Sequence, residues 1–273
     1  MKQKYSVLAA SGGMDSSTLL LHLLTKGYKV LAINFDYGQK HDVEGHRAKS
    51  LVDFLNKKKL NVSFKQIKIG GFSDLINSHL IKGGEDIPTG YHYNDENIRQ
   101  TVVENRNKIF GSFIQSAALA LKNRSNVGDE VVISLANQAG DETHYPDCTQ
   151  EFLNADLKAF HIGNWNAESI KYYTPFTKLK KEDVLKEGIK CCEELDLDYK
   201  DVYSRTFTSY DPIYLRNKQK KVYSNFKDST SLARIEAFIN VGLKDPIKYY
   251  DKENNRIVSW EEVKSYVNNI LKK

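Results

Sequence analysis

The amino-acid sequence predicts an α/β fold: a Rossmann-like parallel sheet with helices on both faces, plus a C-terminal helical subdomain. Two observations predict it. Short apolar runs and helical patterns alternate over residues 1–195, the rhythm of strands joined by crossover helices. That rhythm is lost from about Asp196, and residues 196–273 are expected to form the second unit, packed on the first.

The elements follow in order. Tyr5 to Ala10 is a short apolar run that enters a glycine-rich turn. A helix rich in leucine (Leu19, Leu20, Leu21, Leu23, Leu24) follows, and Gly27 closes it. Val30 to Phe35 is a second buried strand, and a helix runs from about Val43 to Leu55. Asn61 to Ile69 alternates like a third strand. Gly70 to about Asn97 carries glycines, a proline and polar residues; long excursions of this kind are often lids. Ile109, Phe110, Phe113, Ile114, Ala117, Ala118 and Leu121 recur at helical spacing. Glu130 to Leu135 is another buried strand, and Asn137 to Thr149 is polar and irregular. One helix begins near Gln150 and another spans about Lys181 to Leu195. Beyond these lie the basic stretch Arg216 to Lys221 and two helical patterns, Leu232-Ile235-Phe238-Ile239 and Trp260-Val263-Val267-Ile270.

Composition narrows the function classes. The chain has 273 residues, enough to bury a core without staples. Its net charge of +5 is mildly basic and does not by itself argue for nucleic acid, which is not expected as a partner. Three cysteines, Cys148, Cys191 and Cys192, make no disulfide framework and fit a reducing cytoplasm. No run is long enough to span a bilayer, and the N-terminus lacks a signal-peptide pattern, so no membrane association is expected.

The chemistry centres on Ser11-Gly12-Gly13-Met14-Asp15-Ser16-Ser17, between a buried strand and a helix. Ligands of open parallel sheets bind beyond the carboxyl ends of strands. Glycines let the backbone approach a ligand, and free N–H groups at a helix start favour anions. Ser11, Ser16 and Ser17 can donate hydroxyls to phosphate oxygens, and Asp15 can hold Mg²⁺ or orient the loop. Such a run also reads as a plain helix N-cap; the complete string in its strand–loop–helix setting favours phosphate. Neither the Walker A nor the dinucleotide spacing is present. The loop resembles the Ser-Gly-Gly-x-Asp-Ser loop of N-type ATP pyrophosphatases, whose adenine nucleotide alpha hydrolase-like fold matches the expectation above. These enzymes adenylate a carboxylate or carbonyl oxygen, release pyrophosphate, and let a nucleophile displace AMP.

Further segments narrow the resemblance. Phe35-Asp36-Tyr37-Gly38-Gln39-Lys40-His41 follows the second strand, and Val103-Glu104-Asn105-Arg106-Asn107 opens the long helix. Asp141 to Cys148 ends in Tyr145-Pro146-Asp147-Cys148, and Thr174-Pro175-Phe176 precedes the helix carrying Lys181. In this order they resemble the 7-cyano-7-deazaguanine synthase family, which makes a queuosine precursor, from about Tyr5 to Val241. The resemblance implies a ligase that adenylates the carboxylate of 7-carboxy-7-deazaguanine. Ammonia then gives the amide, and a second adenylation gives the nitrile. It implies ATP and Mg²⁺ at Ser11, Gly12, Gly13, Asp15, Ser16 and Ser17, with Asp15, Ser16 and Lys181 catalytic. Tyr37, Gln39, His41, Arg106, Asn107, Asp141, Tyr145 and Asp147 are expected to bind the deazaguanine. Several have an ordinary alternative: Asp141 and Asp147 as Asx-turn caps, Tyr37 as a core aromatic, Arg106 in a surface ion pair, His41 as a helix N-terminal residue, Lys181 as a solvated helix residue. A homodimer is the expected assembly.

The sequence also departs from the family. Four family cysteines that hold structural zinc align with Ser209, Asn225, Asp228 and Ser231. Zinc prefers sulfur and nitrogen ligands, so no zinc is expected. Asp228 is expected instead to cap the helix starting near Thr230. Thr149 stands where the family usually has arginine, and Val-Glu-Asn replaces Val-Pro-Gly before Arg106. These changes put a second reading beside the first: the same adenylation with another amine, a protein among the acceptors, in a recruited role such as antiviral defence. A nucleotide-binding module without turnover is opposed by the intact Asp15 and serines. A tRNA thiolation role is opposed by Cys191-Cys192, where Cys192 joins an apolar helical stripe.

Overall fold

Val7 and Leu8 are neighbours in β1 (Lys4–Ala9), and both are fully buried. Side chains alternate along a strand, so they enter different apolar clusters on opposite sheet faces. This computed structural model describes residues 2–40, 43–85, 102–126, 128–215 and 221–271. β1 is central. β2 (Lys29–Asp36) and β4 (Glu130–Ser134) flank it in parallel, with β3 (Ser63–Lys68) outside β2 and β5 (Lys171–Tyr173) outside β4. The order β3-β2-β1-β4-β5 reverses direction between β1 and β4. Leu8 pairs with Ser134 there, so the loops leaving β1 and β4 start side by side at the carboxyl end. Such a switch point is where open α/β sheets make their ligand crevice.

Helices cover both faces, as the alternation of patterns predicts. α1 (Met14–Thr25) and α2 (Val43–Lys57) contribute Leu19, Leu21, Leu51 and Leu55 to one cluster. α3 (Arg106–Lys122) contributes Ile114 and Ala118 to the other. A single turn, α4 (Asp141–His144), leads to α5 (Gln150–Gly163), whose Phe160 joins α3's side. α6 (Lys181–Glu194) returns to α1's side. A Cβ on Gly188 would lie 1.8 Å from the Tyr203 hydroxyl and 3.0 Å from Thr18 Oγ1, so this glycine permits the close approach of α6 and α1. That approach sets Lys181 of α6 beside Asp15 of α1.

The C-terminal segment is less purely helical than the sequence suggests. α7 (Tyr199–Tyr203), α8 (Ser229–Val241) and α9 (Trp260–Leu271) are joined by two antiparallel pairs, β6 (Ile213–Leu215) with β7 (Lys221–Tyr223) and β8 (Tyr249–Asp251) with β9 (Arg256–Val258). Three residues are too few for an alternating signal to emerge. Leu232, Phe238, Val263 and Val267 enter the same cluster as α1, so this segment shares its core with the sheet. Of the excursion after β3, residues 86–97 lie outside the described residues. Before it, a 3-10 turn at Phe72–Leu75 and buried Leu80 and Ile81 pack back toward the loop after β2.

One buried ion pair ties the C-terminal segment together. Arg234 of α8 is fully buried and grips both oxygens of Asp245, through Nε at 2.7 Å and Nη2 at 2.9 Å. Its remaining donors reach Thr206 Oγ1 and the Tyr203 carbonyl. Tyr249 donates its hydroxyl to Asp245 as well. Arg234→Ala leaves Asp245 charged and unpaired in the core. Urea denaturation is expected to show a loss of about 3–5 kcal/mol.

Candidate active site

The loop after β1 is shaped by its own backbone. Gly12 has φ +94°, a region that side chains rarely adopt. A Cβ there would lie 2.0 Å from the Glu44 carbonyl oxygen, so α2 also requires a glycine. Inside the loop, Ser16 Oγ lies 2.9 Å from Ser11 Oγ, the Gly12 N–H reaches Ser16 Oγ, and the Gly13 N–H reaches Ser11 Oγ. Gly13, at the N-cap of α1, receives no side-chain cap. Thr208 Oγ1 takes the Met14 N–H instead, and the next N–H groups of the first turn have no intrahelical acceptor.

The loop borders a cavity of about 730 Å³. Seven helices have first-turn residues in its wall: Asp15 and Ser16 of α1, Glu44 of α2, Arg106 of α3, Asp141 of α4, Phe152 and Leu153 of α5, Lys181 of α6, and Ser229 with Thr230 of α8. Helix N-termini carry partial positive charge, so the cavity favours an anion. Lys181 Nζ crosses 2.9 Å to Asp15 Oδ2. Among the described residues, two buried side-chain oxygens or nitrogens have no hydrogen-bond partner, Asp15 Oδ1 and Gln138 Oε1. Both belong to residues of this cavity. Buried unpaired acceptors are costly, and these two mark where a ligand's donors or a cation fit.

Of the residues singled out from sequence, Ser11, Gly13, Asp15, Ser16, Lys181, Arg106, Asn107, Asp141, Tyr145 and Asp147 all line the cavity. Gly12 shapes the loop from behind. Ser17 is buried outside the cavity lining. Tyr37 is a core aromatic: its ring packs against Phe110 and Phe72, and it supports Arg106 rather than lining the cavity. Gln39 closes its own turn, accepting from the Tyr37 N–H and donating to the Phe35 carbonyl. Side chains along this turn point away from the cavity, which sequence position alone does not reveal. His41 lies outside the described residues.

Electrostatics grade the cavity wall. Burial opposes the charge of Arg106, but the phenol oxygens of Tyr37, Tyr210 and Tyr145 hold its guanidinium above the usual range, so it stays charged. Burial pushes the Glu44 carboxyl up to about 7, with Arg106 opposing the shift and Asp228 adding to it. Burial also raises Asp141, against the Gln138 N–H and Lys181. Asp147 accepts from Asn107 Nδ2 at 3.0 Å, which ties the loop after β4 to α3.

Sequence reasoning missed several wall residues. Glu44 lies three residues past the quoted motif and reads there as an ordinary first-turn acid. Lys108, Gln115 and Tyr172 converge as donors on buried Asp156, beside an apolar wall that includes Phe110, Ile114 and Leu153. Only spatial proximity unites them. Thr208 accepts the Met14 N–H from a position far along the chain.

The departures have local explanations. Asn105, where the family has glycine, adopts φ +54°, a conformation asparagine tolerates better than most residues. Thr149 caps α5 by accepting the Phe152 N–H. Asp228 caps α8 through the Ser231 N–H, as expected from sequence.

As to metals, Asp15 Oδ1 suits Mg²⁺, a hard cation that takes oxygen ligands. His22, Glu187 and Cys191 form a potential ligand group, but both His22 ring nitrogens are engaged, by Glu187 and by Tyr173. No helix among the described residues is long and apolar enough to cross a membrane.

A family model described as queuosine biosynthesis protein QueC matches residues 5–220. The chain is 37% identical to the 7-cyano-7-deazaguanine synthase of Caldicellulosiruptor saccharolyticus, over 89% of this chain and 95% of that one. It is 36% identical to the enzyme of that name from Methanoregula boonei, over 89% and 98%. For the Archaeoglobus fulgidus enzyme of that name, identity is 32% over 95% and 96%.

Gly12→Ala tests the loop. The left-handed backbone alone costs alanine about 1–2 kcal/mol, and overlap with Glu44 adds to it. ATP affinity, measured by calorimetry with Mg²⁺, is expected to fall by about tenfold or more.

Proposed function

The chain belongs to the queuosine biosynthesis family of 7-cyano-7-deazaguanine synthases, and on that premise we propose that it uses ATP to adenylate the carboxylate of a deazaguanine and joins the acyl carbon to nitrogen. The observation that carries this reading is Asp15. One of its oxygens is held by Lys181, while the other is buried without a partner in the first turn of α1.

The phosphates of ATP bind the loop N–H groups and the hydroxyls of Ser11 and Ser16, in the field of α1. Mg²⁺ at Asp15 Oδ1 would supply positive charge against the triphosphate. Lys181 stabilises the negative charge that builds on the transferring phosphoryl group. The flat heterocycle lies along the apolar wall of Phe110, Ile114 and Leu153, with Gln138 Oε1 accepting from an N–H on its edge. Arg106 orients the substrate carboxylate. A carboxylate oxygen attacks the α-phosphorus and pyrophosphate leaves. Ammonia then attacks the acyl carbon and AMP departs, giving the amide and one proton.

Glu44 is the proton acceptor for that step. It lines the cavity beside Arg106, and a base whose pKa lies near 7 is matched to work at neutral pH. In a second cycle the amide oxygen attacks the α-phosphorus of another ATP and pyrophosphate leaves; loss of AMP and the two amide protons then gives the nitrile.

The same adenylation ending at an amide with a different amine is the second reading. Thr149 favours it, because a hydroxyl engaged in capping stands beside the cavity where the family usually has a cation. Thiolation is disfavoured. Burial pushes the Cys191 thiol up to about 11 and the Cys192 thiol up to about 12, which keeps both from acting as thiolates.

Mass spectrometry after incubation with ATP, Mg²⁺, 7-carboxy-7-deazaguanine and ammonia tests the proposal. Nitrile with AMP supports the first reading, and amide or a protein adduct supports the second. Absence of AMP with every carboxylate tried refutes both. Asp15→Ala is expected to abolish AMP release.

Glu44→Gln is expected to slow amide formation by about a hundredfold, the usual scale of general-base catalysis, and to remove the acid limb of the pH–rate profile near 7. The stability effect has the opposite sign. Glu44's folded pKa lies above its unfolded value of 4.5, so the unfolded chain releases the proton first as pH rises. Wild-type stability therefore falls between those values and stays lower above 7. Glu44→Gln should raise the melting temperature relative to wild type at pH 8 more than at pH 4.5.

A further inference from the structure

Ser209, Asn225, Asp228 and Ser231 align with the zinc cysteines of the family, and the structure brings them together without a metal ligand set. Asp228 is fully buried at the centre. Its Oδ2 accepts from Ser209 Oγ and Ser231 Oγ, each at 2.7 Å. Its Oδ1 accepts from Thr230 Oγ1 and the N–H groups of Ser231 and Tyr210. Asn225 Oδ1 accepts from the N–H groups of Lys227 and Asp228. The donor set is all oxygen, its carboxylate is committed to five donors, and it does not fit zinc.

The cluster faces the loop after β1 through one strap of chain, residues 206–210. On the side of the loop, the Phe207 N–H bonds the Gly12 carbonyl at 3.0 Å, and Thr208 Oγ1 accepts the Met14 N–H at 3.1 Å. On the side of α8, Ser209 Oγ and the Tyr210 N–H bond Asp228, and Ser231 Oγ, whose one proton goes to Asp228, lies 3.4 Å from the Thr208 carbonyl oxygen. One turn further along α8, Arg234 holds Thr206. Asp228, Ser231 and Arg234 are spaced three apart, so one helix face grips the whole strap. Asp228, Ser209 and Ser231 are absent from the cavity lining; they meet it through that strap and through Thr230, which lines the cavity and donates to Asp228 Oδ1.

We propose that this oxygen-only cluster is a metal-free brace that sets the nucleotide loop, with Asp228 as a positioning residue for ATP. Met14 N–H is one of the donors at the start of α1 that have no intrahelical acceptor. Thr208 occupies it, which fixes the helix start and leaves its neighbours free for phosphate. The proposal rests on the ATP reading above for its readout.

The test is ATP affinity by calorimetry with Mg²⁺, on Ser231→Ala, Asp228→Asn and Asp228→Ala, with folding checked by circular dichroism and zinc measured in the native protein. Ser231→Ala deletes one link and is the variant to rely on if Asp228→Ala does not fold. ATP affinity is expected to fall by about tenfold in Ser231→Ala. Asp228→Asn keeps a carbonyl for the cap, and its loss should be smaller than that of Asp228→Ala. Zinc should be far below one equivalent. Folded variants that bind ATP like wild type would overturn the brace, as would stoichiometric zinc lost in Asp228→Ala. Failure of wild type itself to bind ATP would instead refute the nucleotide reading of the site.

Discussion

The loop after β1 is wedged at Gly12 between two regions distant in sequence. The Glu44 carbonyl of α2 occupies the space where a Cβ would stand, and the Phe207 N–H holds the Gly12 carbonyl from another direction. A loop squeezed this way has little freedom, so its hydroxyls and N–H groups are aimed before any ligand arrives. Preorganisation of this kind lowers the ordering cost of binding. The sheet supplies the direction, because the switch point between β1 and β4 opens the crevice at this end. α6 supplies the cation, because Gly188 lets it approach α1 closely enough for Lys181 to meet Asp15.

Seven helix starts around one cavity also explain its charge balance. Their partial positive ends, with Lys181 and Arg106, favour a polyanion. Yet the same wall carries Asp15, Glu44, Asp141, Asp147 and Asp156. The acids are not equivalent. Asp156 is held by three donors and Asp15 by one lysine, whereas Glu44 is shifted upward mainly by burial. A carboxyl group that is neutral at mildly acidic pH and ionised above it can take a proton during a reaction. A fully partnered carboxylate such as Asp156 serves instead to fix its donors in place.

Much of this was legible in the sequence where the signal is local. The strands and helices of the sheet, the loop of Ser11 to Ser17, and Arg106, Asn107, Asp141, Tyr145 and Asp147 were all placed by short strings. Those strings give position along a turn but not side-chain direction. Tyr37 and Gln39 lie on the right loop and turn inward, one to the core and one to its own backbone. Three-residue strands such as β6 and β8 are too short to announce themselves. Glu44, Thr208 and Asp156 are ordinary residues in ordinary places until the fold assembles them. No periodicity or motif could link Met14 to a threonine 194 residues away.

The departures from the family pattern follow one physical rule: a lost group is replaced by whatever satisfies the same geometric demand. Asparagine can take the left-handed conformation otherwise left to glycine, so Asn105 preserves the turn before Arg106. The four positions aligned with zinc cysteines show the same logic at larger scale. A metal would join four side chains through bonds to one cation. Here the Asp228 carboxylate joins Ser209 and Ser231 through hydrogen bonds, Asn225 holds the Lys227 and Asp228 N–H groups, and the carboxylate meets five donors rather than a metal. Removing a partner from such a cluster strands a charge, so its members depend on one another. What the strap 206–210 requires of this region is rigidity rather than a particular element. Rigidity built from Ser209, Asn225, Asp228 and Ser231 needs no supply of metal and places no thiol in the core behind the nucleotide loop.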